Sequence, residues 1–167
     1  MTIHAGHPFA EPPERRDQAR RFRGRLGGAV SLWTAGTGHQ RAGLTVSSLM
    51  LAHGEPARLL GLLDPDSDLA DALAPDARFV VQLLEWQHRD LAEMFAGTAP
   101  APGGPFAQAE FVDTDWGPRL ADAATWVGVR VESTRTVGWS TEICGIVEHV
   151  EIGEEHRPLE HRRGRWR

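Results

Sequence analysis

Short apolar runs of strand length, separated by turn residues, limit most strongly what this chain can fold into. Six of these runs predict strands, at 29–35, 41–48, 57–64, 77–84, 124–137 and 141–153. The turn sequence at 36–39 joins the first two and predicts a hairpin. The run at 57–64 is continuously apolar, which fits either a strand buried on both faces or a short helix.

Three short helices are predicted between these strands. The first ends at Gly27 and Gly28 and places Phe22 and Leu26 on one face. The second begins after Pro65, and the third spans 86–97. Because the helices do not alternate regularly with the strands, we expect a mostly β, six-stranded antiparallel barrel with short helices, not a parallel doubly wound sheet.

The length and composition predict one ordinary globular domain. The chain has 167 residues, of which 41% are hydrophobic and 25% are charged. We expect residues 1–21 to form a tail and the start of a helix, with 1–13 loose, and residues 22–167 to form the domain. No apolar run approaches the roughly 20 residues that span a bilayer, so no membrane association is expected.

Cysteine usage favours a reducing compartment. Cys144 is the single cysteine, so an internal disulfide is excluded and a cytoplasmic location is expected. Its apolar surroundings indicate a small core residue more than a reactive thiol. No metal site is predicted, because His156 and His161 each follow a glutamate but lack the spacing of metal ligands.

Positive charge is concentrated at the two ends of the chain. Residues 1–25 hold six arginines against three acidic residues, and residues 157–167 hold five against one. The middle of the chain holds 7 arginines and 19 acidic residues. Nucleic-acid binding is not expected, because the basic ends lack interleaved aromatic residues and the acidic body repels phosphates. Solvated termini, or ends folded onto an acidic neighbour, explain the pattern better.

A dense patch of hydroxyl groups stands where the second strand stops. Thr45, Ser47 and Ser48 lie within four residues, in the stretch GLTVSSLM. Such a patch can solvate a turn. It can also hold an anion, because short hydroxyl side chains and the N–H groups of a tight turn donate hydrogen bonds to it.

Five segments in order resemble the flavin reductase-like family, the FMN-binding split barrels. FRGRLGGAVSLWTA resembles the opening helix and strand, AGLTVSSLM the G-x-T-x-S-S signature, and LLGLLDPDSDLADAL the segment carrying LDRSSRT. ARFVVQLLEWQHRDLAEMFAG is similar to the block with FVVN and FAG, and GIVEHVEI with PLEHRRGRWR to the last strand and ending. The resemblance covers about residues 22 to 167.

The resemblance implies where FMN binds. The T-x-S-S corner and the LDRSS turn approach FMN in this family, including its ribityl chain and phosphate. The residues of this chain at those positions are Thr45, Val46, Ser47, Ser48, Leu63, Asp64 and Ser67. No catalytic acid or base is identified, and flavin reduction does not require one, since the cofactor carries the difficult chemistry.

One departure from the family pattern affects the expected nicotinamide pocket. The family often has Gly-Asp-His before its last strand, with the histidine near the nicotinamide. This chain has Gly138, Trp139 and Ser140 there, so both the aspartate and the histidine are missing. Trp139 fits either of two roles, stacking on the isoalloxazine ring or packing in the core. A further departure is Gln82, which stands where the family has asparagine.

Three functions from different classes follow from the resemblance. The first is an NADH- or NADPH-dependent FMN reductase, a kind of enzyme that often supplies reduced flavin to a partner monooxygenase. The second is a carrier of FMN, deazaflavin or haem with little or no turnover. The third is a structural dimer with a vestigial pocket. A homodimer is expected in each case, because barrels of this family place the flavin near a subunit interface and the apolar run at 59–63 exceeds what one small barrel hides.

Overall fold

A computed structural model describes the backbone of residues 13–167 and the side chains of residues 18–167. Most of the predicted loose tail therefore lies outside the described residues. The described part has three α-helices: α1 (Pro13–Leu26), α2 (Asp68–Ala72) and α3 (Arg89–Phe95). Its strands are β1 (Gly28–Ala29), β2 (Ser31–Ala35), β3 (Ala42–Val46), β4 (Leu49–Ala52), β5 (Arg58–Leu63), β6 (Arg78–Leu83), β7 (Phe111–Thr114), β8 (Gly117–Leu120), β9 (Trp126–Val137), β10 (Ser140–Glu151), β11 (Glu160–Arg162) and β12 (Arg165–Trp166).

One antiparallel sheet of seven strands dominates the fold, in the order β3-β2-β6-β9-β10-β5-β4. The predicted mostly β architecture with short helices is therefore confirmed. The sheet has one strand more than the six predicted, because β4 follows the hydroxyl stretch and has only four residues. Two small additional sheets, β7–β8 and β1–β11–β12, also escaped prediction, since their strands have two to four residues.

The sheet curls until its two edges meet. Strands β3 and β4 lie at opposite edges, yet only Ser47 and Ser48 separate them in sequence. The main-chain N–H of Leu62, on β5, donates a hydrogen bond to the carbonyl of Ser48, with an N···O distance of 2.9 Å, and so continues the β4–β5 pairing into this link. The predicted hydroxyl patch therefore lies at the seam of a barrel, which removes part of the exposed sheet edge.

The barrel interior is filled by close aromatic and aliphatic packing. Trp33 and Phe79 are fully buried and stack with ring centroids 5.0 Å apart. Gly61 faces Trp33, and a Cβ atom at Gly61 would lie 2.4 Å from the indole. The strand at 57–64 therefore alternates around a glycine, with Leu59 and Leu63 buried and Leu62 39% exposed. The structure confirms a strand here and not a helix, and the outer face of this strand has no covering layer within the described chain.

A second apolar cluster lies beneath α3. Leu91 and Phe95 of α3 are buried there, and they pack with Val30, Leu32 and Leu159. The predicted helix at 86–97 begins as a 3₁₀ turn at Trp86–His88 and continues as α3. Leu159, near the C-terminus, thus packs in the same cluster as Val30 and Leu32 from the start of the barrel.

Gln82 joins the β7–β8 hairpin to the barrel. Its side chain is fully buried, and its amide nitrogen donates to the Leu32 carbonyl at 3.1 Å and to the Thr34 hydroxyl at 3.0 Å. Its amide oxygen accepts from the main-chain N–H of Leu120 at 2.7 Å. The Thr34 hydroxyl donates in turn to the Pro118 carbonyl. Every polar atom of Gln82 is paired, so the residue has a structural role at this position.

Candidate functional site

The four residues of the hydroxyl stretch occupy different environments at the barrel seam. Val46 is buried, and its carbonyl accepts a hydrogen bond from the Ser31 hydroxyl at 2.7 Å. The Thr45 hydroxyl donates to the Ala92 carbonyl of α3 at 2.6 Å. Ser47 is exposed and Ser48 half-buried, and neither hydroxyl has a hydrogen-bond partner among the described residues. Ser47 and Ser48 are therefore the two hydroxyl groups of the corner that remain available to a ligand.

The second predicted segment forms a turn that begins α2. Leu63 is buried, so it can meet a ligand only through its main chain. One carboxylate oxygen of Asp64 accepts the main-chain N–H of Asp66 at 2.9 Å, which closes an Asx-type turn. The Ser67 hydroxyl donates to the Asp64 carbonyl at 2.7 Å and accepts from the Ala70 N–H at 3.2 Å. Ser67 is thus the N-cap of α2, and its hydroxyl is engaged on both sides.

Backbone pairing brings the three predicted segments together. Ser48 bonds to Leu62 just beyond the start of β4, and the next residue, Leu63, pairs with Thr141 of β10. Thr141 lies two residues after Trp139. The hydroxyl corner, the end of β5 and the β9–β10 turn therefore follow one another along the surface of the barrel. Nothing else in the described residues tests their assignment as flavin ligands, and that assignment stays a prediction.

Trp139 lies at the tip of the β9–β10 hairpin. The side chain is 58% exposed, so within the described chain it is not a core residue. Gly138 has a φ of +56°, and it permits the tight turn that presents Trp139. Below the tip, Arg135 donates two hydrogen bonds to Glu142, at 2.9 and 3.2 Å. This contact holds the pKa of the Glu142 carboxyl below its ordinary value and joins the two strands of the hairpin.

Two cavities of about 430 Å³ each open elsewhere on the molecule. They share the walls formed by Gln87 and Asp122 and include no residue of the hydroxyl corner. His88 is buried at the edge of one of them, where its Nε2 lies 3.0 Å from Asp122. Its Nδ1 accepts the main-chain N–H of Glu85 at 3.0 Å. Both ring nitrogens are engaged, so His88 is a structural cap rather than a free base.

No group of three or more metal-ligating side chains comes together within the part of the chain that the structure describes. On the barrel surface the titratable groups with shifted pKa values belong to ion pairs such as Arg58–Glu132 and Arg135–Glu142, and Glu142 stands opposite Leu62 on the neighbouring strand. The corner therefore supplies neutral hydroxyl and main-chain donors. It can bind an anion or a polar ligand, and it carries no acid or base of its own.

Sequence reasoning missed one feature next to the corner. The two basic ends of the chain meet there: the main-chain N–H of Arg163 donates to the Gly24 carbonyl at 2.9 Å, and β11 pairs with β1. Gly28 of β1 lies against the corner, since a Cβ atom at Gly28 would be 3.3 Å from the Ser47 carbonyl oxygen. The excess of arginine at both ends was a signal of this feature. The basic C-terminal segment also contacts acidic residues, since the main-chain N–H of Arg157 donates to the Glu85 carboxylate at 3.4 Å and the Trp166 indole N–H to the Glu93 carboxylate at 2.7 Å.

Comparisons with known proteins agree with this geometry. Residues 23–167 match the family model described as flavin reductase like domain. FMN reductase (NADH) RutF of Ancylobacter novellus is 30% identical over 142 residues, which cover 85% of this chain and 70% of that protein. The solved structure of the NADH:FAD oxidoreductase SgcE6 of Streptomyces globisporus has a TM-score of 0.82 at 23% identity and covers 96% of both chains. The styrene monooxygenase flavin reductase of Pseudomonas putida S12 has a TM-score of 0.78 at 22% identity, covering 90% of this chain and 96% of that one.

A seven-stranded barrel closed at a hydroxyl corner is the split-barrel class of flavin-binding proteins, as the resemblance implied. The chain belongs to the flavin reductase-like domain family, since the family model spans nearly all of its described residues. The family and the fold expected from the sequence are therefore both confirmed. No helix among the described residues is long and apolar enough to cross a membrane.

Proposed function

We propose that this protein is a flavin reductase that uses NADH to reduce FMN. Family membership and the 30% identity to an NADH-dependent FMN reductase support this proposal. NADPH remains the alternative hydride donor. When bound, FMN supplies the hydride acceptor, so the protein has only to bind and orient the two cofactors. The neutral hydroxyl and main-chain donors of the hydroxyl corner fit that division of labour.

The observation that carries the proposal is the pair of uncommitted hydroxyls at the seam. Ser47 and Ser48 follow a buried strand end at Val46, and the Ser48 carbonyl is fixed by its bond to Leu62. The hydroxyls therefore project from a rigid stretch of backbone, as a preorganised binding site requires. Their chemistry fits a phosphate, which accepts hydrogen bonds through several strong acceptor oxygens. We assign the FMN phosphate to these two residues, with the turn at Leu63 and Asp64 beside it.

Absorbance spectroscopy of the purified protein tests the proposal. We expect FMN to bind with a perturbed flavin spectrum, and NADH to bleach the flavin band under anaerobic conditions. Parallel reactions with NADPH decide between the two nicotinamides. A protein that binds no FMN in titration would overturn the assignment of the corner, whereas binding without bleaching would favour the second function below.

A second candidate function is a flavin carrier with weak turnover. It is favoured by one observation, the replacement of the family's Gly-Asp-His by Gly138, Trp139 and Ser140 at the exposed hairpin tip. A deazaflavin or haem carrier belongs to the same class. Steady-state NADH consumption with added FMN separates the reductase from the carrier.

Transfer of reduced flavin to a partner monooxygenase is part of the proposal. It is supported by the likeness of the fold to the styrene monooxygenase flavin reductase. The lone, half-buried Cys144 supports the accompanying proposal of a cytoplasmic location. Fractionation of source cells tests the location directly.

We further propose that the protein is a homodimer. The outer face of β4 and β5 presents Met50, Leu60 and Leu62, with Met50 69% and Leu62 39% exposed. An apolar face on an exposed edge strand marks an interaction surface. Light scattering tests this: Leu62→Glu should shift the protein to monomer. Val112→Glu is the matched control, because Val112 is 42% exposed on β7. A wild-type protein that is monomeric at micromolar concentration would contradict the proposal.

A further inference from the structure

The arginines of the two chain ends differ from those of the barrel. Five arginines of the barrel form ion pairs with carboxylates: Arg41, Arg58, Arg78, Arg130 and Arg135. Within residues 18–167, eight arginines of the ends form no ion pair: Arg20, Arg21, Arg23, Arg25, Arg162, Arg163, Arg165 and Arg167. All eight are exposed. Within residues 18–167 these arginines therefore have no carboxylate partner, although the chain as a whole has a formal net charge of −5.

The C-terminal hairpin gives two of these arginines a defined position. Arg162 pairs with Arg165 across β11 and β12, so both side chains leave the hairpin on the same face. Arg163 and Gly164 form the turn between them, with φ angles of +54° and +74°. The carbon stem of Arg162 lies over Gly27, where a Cβ atom would be 3.5 Å from it.

This position is next to the hydroxyl corner. Gly27 precedes Gly28, and consecutive Cα atoms are about 3.8 Å apart. A Cβ atom at Gly28 would lie 3.3 Å from the Ser47 carbonyl oxygen. Gly28 also pairs with His161, the neighbour of Arg162 in the chain. The side-chain stem of Arg162 thus lies against Gly27, the residue that precedes Gly28, and Gly28 in turn faces the Ser47 carbonyl.

A phosphate at the corner needs a positive charge that the corner itself lacks. A phosphate monoester carries about −1.5 to −2 charges at pH 7. Ser47 and Ser48 are neutral, and the arginines of the barrel are already paired or stacked on aromatic rings. The planar guanidinium of arginine suits bidentate bonding to phosphate oxygens. Within residues 18–167, the exposed arginines of the ends are those that neither a carboxylate nor an aromatic ring engages.

We propose that Arg162, with Arg165 beside it, provides the positive charge for the phosphate of a flavin held at Ser47 and Ser48. The proposal rests on the flavin-binding function above and names residues that confer its preference for phosphorylated flavins. In this arrangement the hydroxyls orient the phosphate, and the guanidinium groups supply most of the electrostatic attraction. Riboflavin, which has the same ring and ribityl chain without the phosphate, gains nothing from these arginines.

Titration of FMN and riboflavin by flavin fluorescence tests the proposal. Arg162→Gln should weaken FMN binding about tenfold, the loss of one charge-assisted hydrogen bond, and leave riboflavin binding unchanged. Arg165→Gln should act in the same direction. Arg162→Lys should restore part of the FMN affinity, since lysine keeps the positive charge but lacks the planar guanidinium that bonds two phosphate oxygens at once. Salt should weaken FMN binding to the wild type more steeply than to Arg162→Gln.

Arg78→Gln is the matched control, because it removes the same charge from an arginine that pairs with Glu148 on another part of the barrel. It should change FMN affinity little, and a thermal melt should show that all variants are folded. Equal losses for FMN and riboflavin, or an equal loss from Arg78→Gln, would overturn the role of Arg162. If wild-type protein binds neither flavin, the proposed function itself fails, which is a distinct result.

Discussion

The main-chain N–H of Leu62 on β5 donates to the carbonyl of Ser48, 2.9 Å away, and this bond extends the β4–β5 pairing into the two-residue link to β3. It fixes the backbone at the point where the uncommitted hydroxyls of Ser47 and Ser48 project. The corner therefore combines a polar surface with a backbone anchored on both sides, by β3 and by β5. A site built on rigid elements holds a ligand more accurately than one built on a free loop.

Ser47→Ala should weaken FMN binding about tenfold or more, because it removes one hydrogen bond to a charged phosphate. Riboflavin should lose much less affinity. The Ser48–Leu62 bond is a main-chain bond and is unaffected by the substitution, so stability should hold. Fluorescence titration with both flavins measures the difference. Equal losses for the two ligands would show that Ser47 does not contact the phosphate.

Ser67→Ala should act mainly on stability. The Ser67 hydroxyl caps α2 through the Ala70 N–H, and replacing an N-cap serine by alanine costs about 1 kcal/mol. Since this hydroxyl also donates to the Asp64 carbonyl, we expect a smaller loss of FMN affinity than for Ser47→Ala. Urea unfolding and FMN titration of both variants provide the comparison. A greater loss of FMN affinity from Ser67→Ala than from Ser47→Ala would show that Ser67 is the primary phosphate ligand.

Local sequence patterns could predict the hydroxyl corner but not its closure. The density of hydroxyls at 45–48 and the strand before it are visible in the residues themselves. The pairing of Leu49–Ala52 with β5 at the far edge of the sheet cannot be seen in the residues, because a four-residue strand has too little pattern to indicate its partner. The order of motifs, taken from the family resemblance, predicted the barrel where the periodicity alone could not.

Contacts between residues far apart in the chain could also not be predicted from the sequence. The Thr45 hydroxyl is engaged by the Ala92 carbonyl, and Arg162 lies over Gly27 from the opposite end of the chain. Both contacts are made by packing, so no local spacing predicts them. The first contact removes Thr45 from the hydroxyl groups that are available to a ligand. The second places an arginine of the basic C-terminal segment beside the hydroxyl corner.

The Cys144 thiol should react slowly. Burial raises its pKa, and the Glu132 carboxylate, with an oxygen 3.7 Å from the sulfur, raises it further. Less thiolate is therefore present near neutral pH than for a free cysteine, whose pKa is about 8.5. Iodoacetamide labelling followed by mass spectrometry across a pH series measures this, with urea-unfolded protein as the control. A labelling midpoint below that of the unfolded chain would contradict the prediction.

Glu85→Gln should destabilise the fold in a pH-dependent way. Glu85 accepts the His156 N–H at 2.7 Å, and this bond lowers the pKa of its carboxyl. A lowered folded pKa contributes stability above the ordinary value of about 4.3, and the contribution is lost as the pH falls through the lower value. We expect a loss of about 1 kcal/mol at pH 7 and convergence with the wild type in acid.

Urea unfolding at pH 7 and at the lowest pH at which both proteins stay folded measures this effect. Glu154→Gln, an exposed residue in a nearby segment, is the control and should change little at either pH. A loss from Glu85→Gln that is the same at both pH values would show that the contact is steric and not electrostatic.

Trp139→His should raise NADH turnover more than it raises FMN affinity. Trp139 stands at the exposed tip of the β9–β10 hairpin, where the family often has a histidine near the nicotinamide, and the indole is bulkier than an imidazole. A nicotinamide that stacks poorly loses the near-attack geometry of hydride transfer, and small misplacements can reduce the rate about a hundredfold. Steady-state NADH consumption and FMN titration of the wild type and of Trp139→His separate the two effects.

Trp139→Ala is the control, since it removes the bulk of the indole without adding an imidazole. If the wild type already consumes NADH at about 10 per second or more, the rate of a typical enzyme, the hairpin tip is a competent nicotinamide site as it stands and this prediction is wrong.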